Sequence, residues 1–136
     1  FYKKFLGFKP RIAVTGLNPH CETFKGKDIE KTEILPAIKI LKKNKIKVLG
    51  PFSADTIFLK ENRKKFNIIV GMYHDQVLGP MKTIFGFNAI NITIGLPFVR
   101  ITPDHGPNYK MFGLNKSNPD SLIQAFSFLN KYAIKA

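Results

Sequence analysis

The chain has 136 residues, of which 44% are hydrophobic and 23% charged, values typical of a globular domain rather than a disordered or fibrous chain. The formal net charge is +13, from 22 basic and 9 acidic residues, a balance that is common in proteins binding nucleic acid or anionic membranes. The basic residues are mostly lysines interleaved with acids, however, so the composition fits an ordinary solvated surface equally well.

Cysteine usage and hydropathy favour a cytoplasmic protein that is not exported. The single cysteine, Cys21, has no partner for an internal disulfide or a Cys-x-x-Cys metal pair. No apolar run approaches the ~20 residues that span a bilayer, and the first ten residues lack the apolar block of a signal peptide. Because the sequence begins at Phe1 without an initiator methionine, we expect it to be a partial chain.

Apolar periodicity and turn residues predict alternating strands and helices. In chain order these are a strand at 11–15, a helix from 28 to 43, strands at 46–49, 67–72, 89–94 and 98–101, and a final helix near 122–133. The run 67–72 is apolar nearly throughout, which is typical of a strand covered on both faces of a parallel sheet. The pattern indicates a single α/β domain over residues 1–136, with a largely parallel sheet.

Local signals mark where the helices begin and end. Asp28 is a candidate N-cap for the first long helix, in which Pro36 predicts a kink. Gly79-Pro80 is expected to limit any helix that begins after the strand at 67–72. Asn118 or Asp120 is expected to cap the last helix. One face of that helix is predicted to be apolar, with Leu122, Phe126, Leu129 and Ala133 along it.

Each of the three histidines follows a predicted strand, where ligand sites gather in open α/β sheets. His20, His74 and His105 are therefore candidate ligands for a divalent ion. Asp75 is placed to orient an imidazole ring or to interact with the metal indirectly, outside its direct ligands. Their mutual spacing matches no short metal motif, so ordinary loop or capping histidines remain the alternative.

Two cations and one amide near these loops are candidates for binding an anionic substrate. Arg100 follows an apolar run, and its guanidinium suits two-pronged recognition of phosphate or carboxylate. Lys82 offers a second positive charge, although a solvated side chain explains a lysine there equally well. Asn91 lies inside an apolar strand and, if buried, needs either the backbone or a ligand as partner.

Other types of site have little support in the sequence. There is no Gly-x-Gly-x-x-Gly fingerprint and no P-loop, so a nucleotide would need another binding device. Cys21 beside His20 raises the possibility of a thiol nucleophile, with a passive small residue as the alternative. Ser53 has no histidine near it in sequence that could activate it as a nucleophile.

Five motifs in order carry a resemblance to a known family. They are Gly16-Leu17-Asn18-Pro19-His20, Gly50-Pro51-Phe52-Ser53-Ala54-Asp55-Thr56, Met72-Tyr73-His74-Asp75-Gln76, the stretch from Asn91 to Arg100, and Asp104-His105-Gly106. Together they resemble 4-hydroxythreonine-4-phosphate dehydrogenase of vitamin B6 biosynthesis, from about Arg11 to the carboxyl end. The resemblance matches the carboxyl-terminal half or less of the family's usual chain.

This resemblance implies an isopropylmalate-dehydrogenase-like α/β/α sandwich, a homodimer, and a divalent metal (Zn, Mg or Co) held by three histidines from both subunits. Two of those ligands map onto His20 and His74, and the third belongs to a Thr-His-x-Pro segment that this sequence lacks. The implied reaction is NAD-dependent oxidation and decarboxylation of 4-phosphohydroxy-L-threonine to 3-amino-2-oxopropyl phosphate. We expect this chain alone to be inactive.

The resemblance also implies roles for residues outside the metal site. Lys82, Asn91 and Arg100 match the family's substrate contacts in type, and Asp104-His105-Gly106 resembles its nucleotide-side loop. The small residues that usually follow this loop are replaced by Pro107-Asn108. A sister dehydrogenase of another phosphorylated hydroxy acid, such as a phosphothreonate, and a basic nucleic-acid-binding module are the alternative functions.

Overall fold

Three parallel strands form the sheet of the segment Phe8–Pro80, in a computed structural model that describes residues 1–21, 26 and 28–132. The strands are β1 (Ile12–Thr15), β2 (Val48–Phe52) and β3 (Ile68–Val70), in the order β2-β1-β3. Ile12 lies opposite Val48 on one side and opposite Ile68 on the other. The α/β class with parallel pairing is thus confirmed.

Strand β2 differs from the prediction in its bounds. It runs from Val48 through Gly50-Pro51 to Phe52, whereas the sequence predicts a strand at 46–49 followed by a loop. Gly50 has φ 140° and lies so close to the Val14 carbonyl that a Cβ there would collide with it. A glycine therefore allows the chain to keep pairing with β1, up to Phe52 opposite Thr15.

The first long helical segment begins as predicted at Asp28, whose Oδ1 accepts a hydrogen bond of 3.1 Å from the Lys31 backbone N–H. The segment starts as a π-helical turn, Glu30–Ile34, and continues as α1 (Leu35–Lys43). Pro36 lies in the first turn of α1, at the change of winding, where the missing N–H costs little. The apolar face of this helical segment packs on the sheet, in a core cluster of Val14, Ile34, Ile38 and Val48.

The helix after β3 is longer than predicted. After the short α2 (Lys60–Arg63), α3 spans His74–Phe85 and continues through Gly79 and Pro80. The expectation that Gly79-Pro80 would limit this helix is wrong. Proline's fixed φ is compatible with a helix, and its cost there is one lost backbone hydrogen bond and a local bend rather than termination.

The second compact unit combines Phe1–Gly7 with the chain from Met81 onward. It contains β4 (Ile90–Thr93) and β5 (Arg100–Pro103), which pair antiparallel in a sheet of their own instead of extending the parallel sheet. Their connection is only six residues long, too short for a parallel crossover. Gly95, at φ 100°, helps the chain to reverse.

The remaining helical elements are α4 and short turns. The turns are a π-helical segment at Tyr2–Leu6 and 3₁₀ segments at Gly86–Asn88 and Tyr109–Met111. Helix α4 (Asp120–Tyr132) is capped by Asn118, whose Oδ1 accepts from the Asp120 N–H at 2.8 Å. None of the described helices is long and apolar enough to cross a membrane.

The buried face of α4 is not the one predicted. Ser121 and Ala125 are 1% and 5% exposed, while Leu122 and Phe126 are 46% and 59% exposed. Small residues occupy the positions next to the β4–β5 sheet because the helix approaches it closely. Ala133, also predicted on the apolar face, lies outside the described residues. The prediction of one domain over residues 1–136 stays a prediction.

Candidate active site

Two of the predicted metal ligands follow neighbouring strands at the carboxyl edge of the parallel sheet. His20 follows β1, and His74 is the first residue of α3, which follows β3. Strands β1 and β3 are neighbours in the sheet, so both histidines belong to the same edge.

Both imidazoles have a carboxylate at the same ring nitrogen. Nδ1 of His20 lies 3.4 Å from Oδ2 of Asp55, in the loop after β2, and Nδ1 of His74 lies 2.7 Å from Oδ1 of Asp75. The hydrogen bond between His74 and Asp75 favours the tautomer protonated at Nδ1 and leaves Nε2 to act as the ligand, while Asp55 lies on the same side of the His20 ring at a longer distance. The role expected for Asp75 fits this geometry, and Asp55 adds a second orienting carboxylate that the sequence analysis missed.

The donor chemistry of this edge fits a divalent transition metal. Two exposed imidazoles suit Zn²⁺ or Co²⁺, whereas Mg²⁺ prefers oxygen ligands. Within the described residues, no group of three or more His, Cys, Asp and Glu side chains is arranged to hold a metal ion. The assignment of His20 and His74 as metal ligands stays a prediction.

A buried glutamine, Gln76, ties the two histidine-bearing segments together. Its Oε1 accepts hydrogen bonds from the Thr15 hydroxyl and the Met72 backbone N–H, both at 2.8 Å, and its Nε2 donates to the Gly16 carbonyl at 2.7 Å. Gln76 is 6% exposed and Thr15 is fully buried. This network fixes the start of α3 against the end of β1, and therefore holds the chain before His74 next to the chain before His20.

The loop that carries His20 is also held from the side of the helix. The Asn18 backbone N–H donates to Oε1 of Glu30 at 2.7 Å, and Glu30 is 3% exposed. The Asn18 side chain in turn accepts from the His20 backbone N–H at 2.9 Å. A side chain at Gly16 would collide with Cys21 and crowd Glu30. A glycine after β1 therefore lets the side chains of Cys21 and Glu30 pack against this loop.

Cys21 lies beside this loop in a setting that disfavours a nucleophile. Burial raises the pKa of the thiol above its ordinary value, and the nearby carboxylates of Glu30 and Asp55 raise it further. Hydrogen bonds from the Gly16 backbone and from Ser53 act in the opposite direction but do not reverse the shift. The thiol is therefore mostly protonated at neutral pH, which supports the passive role for Cys21.

In the other unit, the polar face of the β4–β5 sheet carries two predicted substrate residues. Asn91 lies opposite Thr102 and Thr93 opposite Arg100, so these four side chains share one face. A guanidinium nitrogen of Arg100 donates to the Thr93 hydroxyl at 2.9 Å, and both Arg100 and Asn91 are exposed. Asn91 is therefore not buried and needs no buried partner. It belongs to a solvent-facing polar surface.

Lys82 is engaged with the loop expected to face the nucleotide. Its Nζ lies 3.0 Å from Oδ2 of Asp104 and also donates to the Asp104 backbone carbonyl. The same loop is anchored by Ser121, whose Oγ accepts from the Asp104 N–H at 2.8 Å and donates to the Ala89 carbonyl at 2.6 Å. His105 is exposed, with Nδ1 3.1 Å from the Gly106 carbonyl.

The positioning residues Gln76, Ser121 and Asp55 were not singled out from sequence. Gln76 and Ser121 act through partners far along the chain, so local patterns carry no sign of them. Asp55 had one usable signal, because it follows the carboxyl end of a strand next to the one that precedes His20.

Comparison with known proteins places the chain in a family. The profile of the family described as pyridoxal phosphate biosynthetic protein PdxA matches residues 1–129. A 4-hydroxythreonine-4-phosphate dehydrogenase of Bradyrhizobium diazoefficiens is 45% identical over 130 residues, which are 92% of this chain and 36% of that protein. The enzyme of that name from Sulfurihydrogenibium sp. is 46% identical, with 92% and 38% covered.

Solved structures agree with this assignment. The crystal structure of 4-hydroxythreonine-4-phosphate dehydrogenase from Klebsiella pneumoniae superposes with a TM-score of 0.72 at 32% identity, covering 88% of this chain and 37% of that one. The chain therefore spans little more than a third of the length of the relatives it matches. Sequence and fold together show that the chain belongs to the family of the pyridoxal phosphate biosynthetic protein PdxA.

Proposed function

We propose that this chain is the part of a 4-hydroxythreonine-4-phosphate dehydrogenase that supplies two metal ligands and the substrate-anion contacts. The proposed reaction is NAD-dependent oxidation of 4-phosphohydroxy-L-threonine, with loss of carbon dioxide, to 3-amino-2-oxopropyl phosphate. The observation that carries the proposal is the pair of carboxylate-backed imidazoles, His20 with Asp55 and His74 with Asp75, on one edge of the parallel sheet.

In this proposal His20 and His74 hold a divalent cation through Nε2, and their imidazole chemistry favours Zn²⁺ or Co²⁺ over Mg²⁺. A bound cation would supply Lewis acidity toward the substrate hydroxyl, while NAD would accept the hydride. Asp55 and Asp75 keep the two rings in the tautomer and orientation that ligation needs. Gln76 keeps the two ligand-bearing segments at a fixed separation.

The substrate carries a phosphate and a carboxylate, which require cations and hydrogen-bond donors. Arg100 supplies a planar guanidinium already oriented by Thr93, and Asn91 presents an amide on the same face. Lys82 contributes positive charge while restraining Asp104 at the start of the proposed nucleotide-side loop, Asp104-His105-Gly106. These residues bind and orient the substrate anion.

We further propose that the protein acts in the cytoplasm as a homodimer in which the metal site is completed by the partner. Exposed aromatic side chains in the unit that contains the β4–β5 sheet support an association surface. Phe112 is 90% exposed, Phe98 63% and Phe126 59%. Side chains of this size and hydrophobicity, when exposed, are candidates for a surface that a partner covers.

The test is a complementation assay. The purified 136-residue chain is mixed with a separate polypeptide that supplies the amino-terminal portion of the Sulfurihydrogenibium relative, and NADH formation is followed with Zn²⁺ or Co²⁺ present. We expect no turnover by the chain alone and turnover by the mixture with 4-phosphohydroxythreonine. Turnover by the chain alone would contradict the proposal that this chain supplies only two of the metal ligands. A preference for a phosphothreonate would assign the chain to a sister dehydrogenase instead.

A further inference from the structure

A concave site lies at the edge of the parallel sheet opposite to the histidines, where the strands begin. It is a cavity of about 570 Å³ between the starts of β1 and β2, the last turn of α1 and the segment before β3. This volume falls within the range of small-molecule sites, roughly 300–1,000 Å³. The histidine edge lies at the other ends of these strands, roughly 13 Å away along β1, so the two sites are separate.

The floor of the cavity is apolar and held by backbone hydrogen bonds. Ile46 and Leu49 supply its exposed apolar surface, Leu49 being 50% exposed, and the Ile46 N–H donates to the Leu41 carbonyl at 3.1 Å. Phe66 forms a wall and is braced by Phe52, with ring centroids 5.3 Å apart. The walls are therefore formed before any ligand arrives, although Ile46 itself is 38% exposed. An apolar group would bury more of this surface.

The rim of the same cavity is strongly basic. Four cationic side chains line it, namely Arg11, Lys42, Lys47 and Lys65, and no carboxylate occurs among the described lining residues. Within the described part of the chain, Arg11, Lys42 and Lys47 form no ion pair, and Lys65 contacts the neutral Asn62 amide at 3.3 Å. Like charges gathered around one opening repel each other, and an anion placed among them relieves that repulsion.

We propose that this cavity binds a small amphiphilic anion, specifically a medium-chain carboxylate whose alkyl tail occupies the apolar floor and whose carboxylate lies among the rim cations. Both halves of the site are needed for this assignment. A purely polar anion leaves the apolar surface of Leu49 and Phe66 uncovered, and an uncharged apolar molecule leaves the charges of Lys42 and Lys47 uncompensated. The ligand class therefore differs from the short, polar substrate proposed for the histidine edge.

The test measures binding of decanoate to the 136-residue chain by calorimetry, below the concentration at which decanoate forms micelles. Decyltrimethylammonium provides the same tail with a cationic head, and acetate provides the same head without the tail. We expect decanoate to bind clearly more tightly than either. The double variant Lys42→Ala/Lys47→Ala should weaken decanoate binding about three- to tenfold, as expected for two partly exposed ionic contacts.

The matched control is Lys39→Ala/Lys43→Ala. It also removes two positive charges, both from α1, but at residues that do not line the cavity. It should change decanoate binding by less than about twofold. Circular dichroism of both double variants checks that they are folded. Equal weakening by the two double variants, equal binding of the cationic amphiphile, or no decanoate binding would overturn the proposal. The proposal would also be overturned if the chain forms a dimer that Leu49→Ser dissociates, since a second copy of the chain would then cover the cavity.

Discussion

The side-chain amide of Gln76 donates to the Gly16 carbonyl at 2.7 Å, joining the start of α3 to the end of β1 across 60 residues of sequence. The same side chain accepts from Thr15 and from the Met72 N–H. One buried side chain thus satisfies three polar groups at the point where the two candidate metal ligands leave the sheet.

Replacing Gln76 with alanine is therefore expected to be costly. Gln76→Ala leaves the Thr15 hydroxyl, the Met72 N–H and the Gly16 carbonyl without this partner in a buried setting, and should lower the free energy of unfolding by about 2–3 kcal/mol. Urea unfolding measures the change. Gln124→Ala, at an exposed position of α4, is the control and should shift stability by less than about 0.5 kcal/mol. Equal effects of the two substitutions would contradict the bridging role.

The acid stability of the chain should depend on Asp28. Hydrogen bonds from the Lys31 side chain and backbone lower the pKa of this carboxyl below its ordinary value. The native state therefore favours the carboxylate, so its contribution is present above the ordinary pKa of an aspartate and is lost as the pH falls through the lowered one. Melting temperatures from neutral to acid pH should fall less steeply for Asp28→Asn, which keeps a capping side chain without a titrating group.

Lys31→Met provides the complementary variant for this effect. It removes the ammonium that pairs with Asp28 at 2.9 Å while leaving the capping carboxylate in place. The acid slope should become shallower, though less so than in Asp28→Asn, since the backbone N–H of Lys31 still binds the carboxylate. Unchanged slopes in both variants would show that this pair does not contribute to acid stability.

Substrate recognition should respond to the shape as well as the charge of Arg100. In the complemented enzyme, Arg100→Lys keeps the charge but loses the planar fork, and kcat/KM should fall about ten- to a hundredfold with little change in melting temperature. Lys82→Ala should give a loss of the same kind and also release Asp104. Lys43→Ala, at the exposed end of α1, should leave kcat/KM unchanged. If all three variants lose activity alike, the substrate contacts are wrongly assigned.

Cys21 should react slowly at neutral pH. Because burial and the carboxylates of Glu30 and Asp55 raise the pKa of its thiol, less thiolate is present at pH 7 than in an unperturbed cysteine. Alkylation by iodoacetamide, followed by mass spectrometry, should be slower than for the same chain in urea and should rise at alkaline pH. Faster alkylation of the folded chain would revive the thiol nucleophile as an alternative.

Features with local causes were predictable from sequence. The strand β1, the capping by Asp28 and the loop at Asp104-His105-Gly106 depend on neighbouring residues, and the structure has all three. The placement of His20 and His74 at the ends of strands followed from turn residues alone, while the adjacency of those strands comes from the sheet order.

Features set by distant contacts were missed. Strand β2 extends to Phe52 because Gly50 can approach Val14, and β4 pairs antiparallel with β5 instead of joining the parallel sheet. The buried face of α4 centres on Ser121 because that hydroxyl bridges Asp104 and Ala89. Apolar periodicity does not reveal a serine used in this way, because its partners lie in other elements.

The most direct test of the account is a titration of the 136-residue chain with Co²⁺, followed by its visible absorption, in variants of each histidine. His20→Ala and His74→Ala should each weaken binding at least about tenfold, the double variant should lose little more than either single one, and His105→Ala should bind as the parent does. That pattern means that His20 and His74 share one ion. Binding that survives both substitutions, or that His105→Ala weakens equally, would contradict a metal site at the carboxyl edge of the parallel sheet.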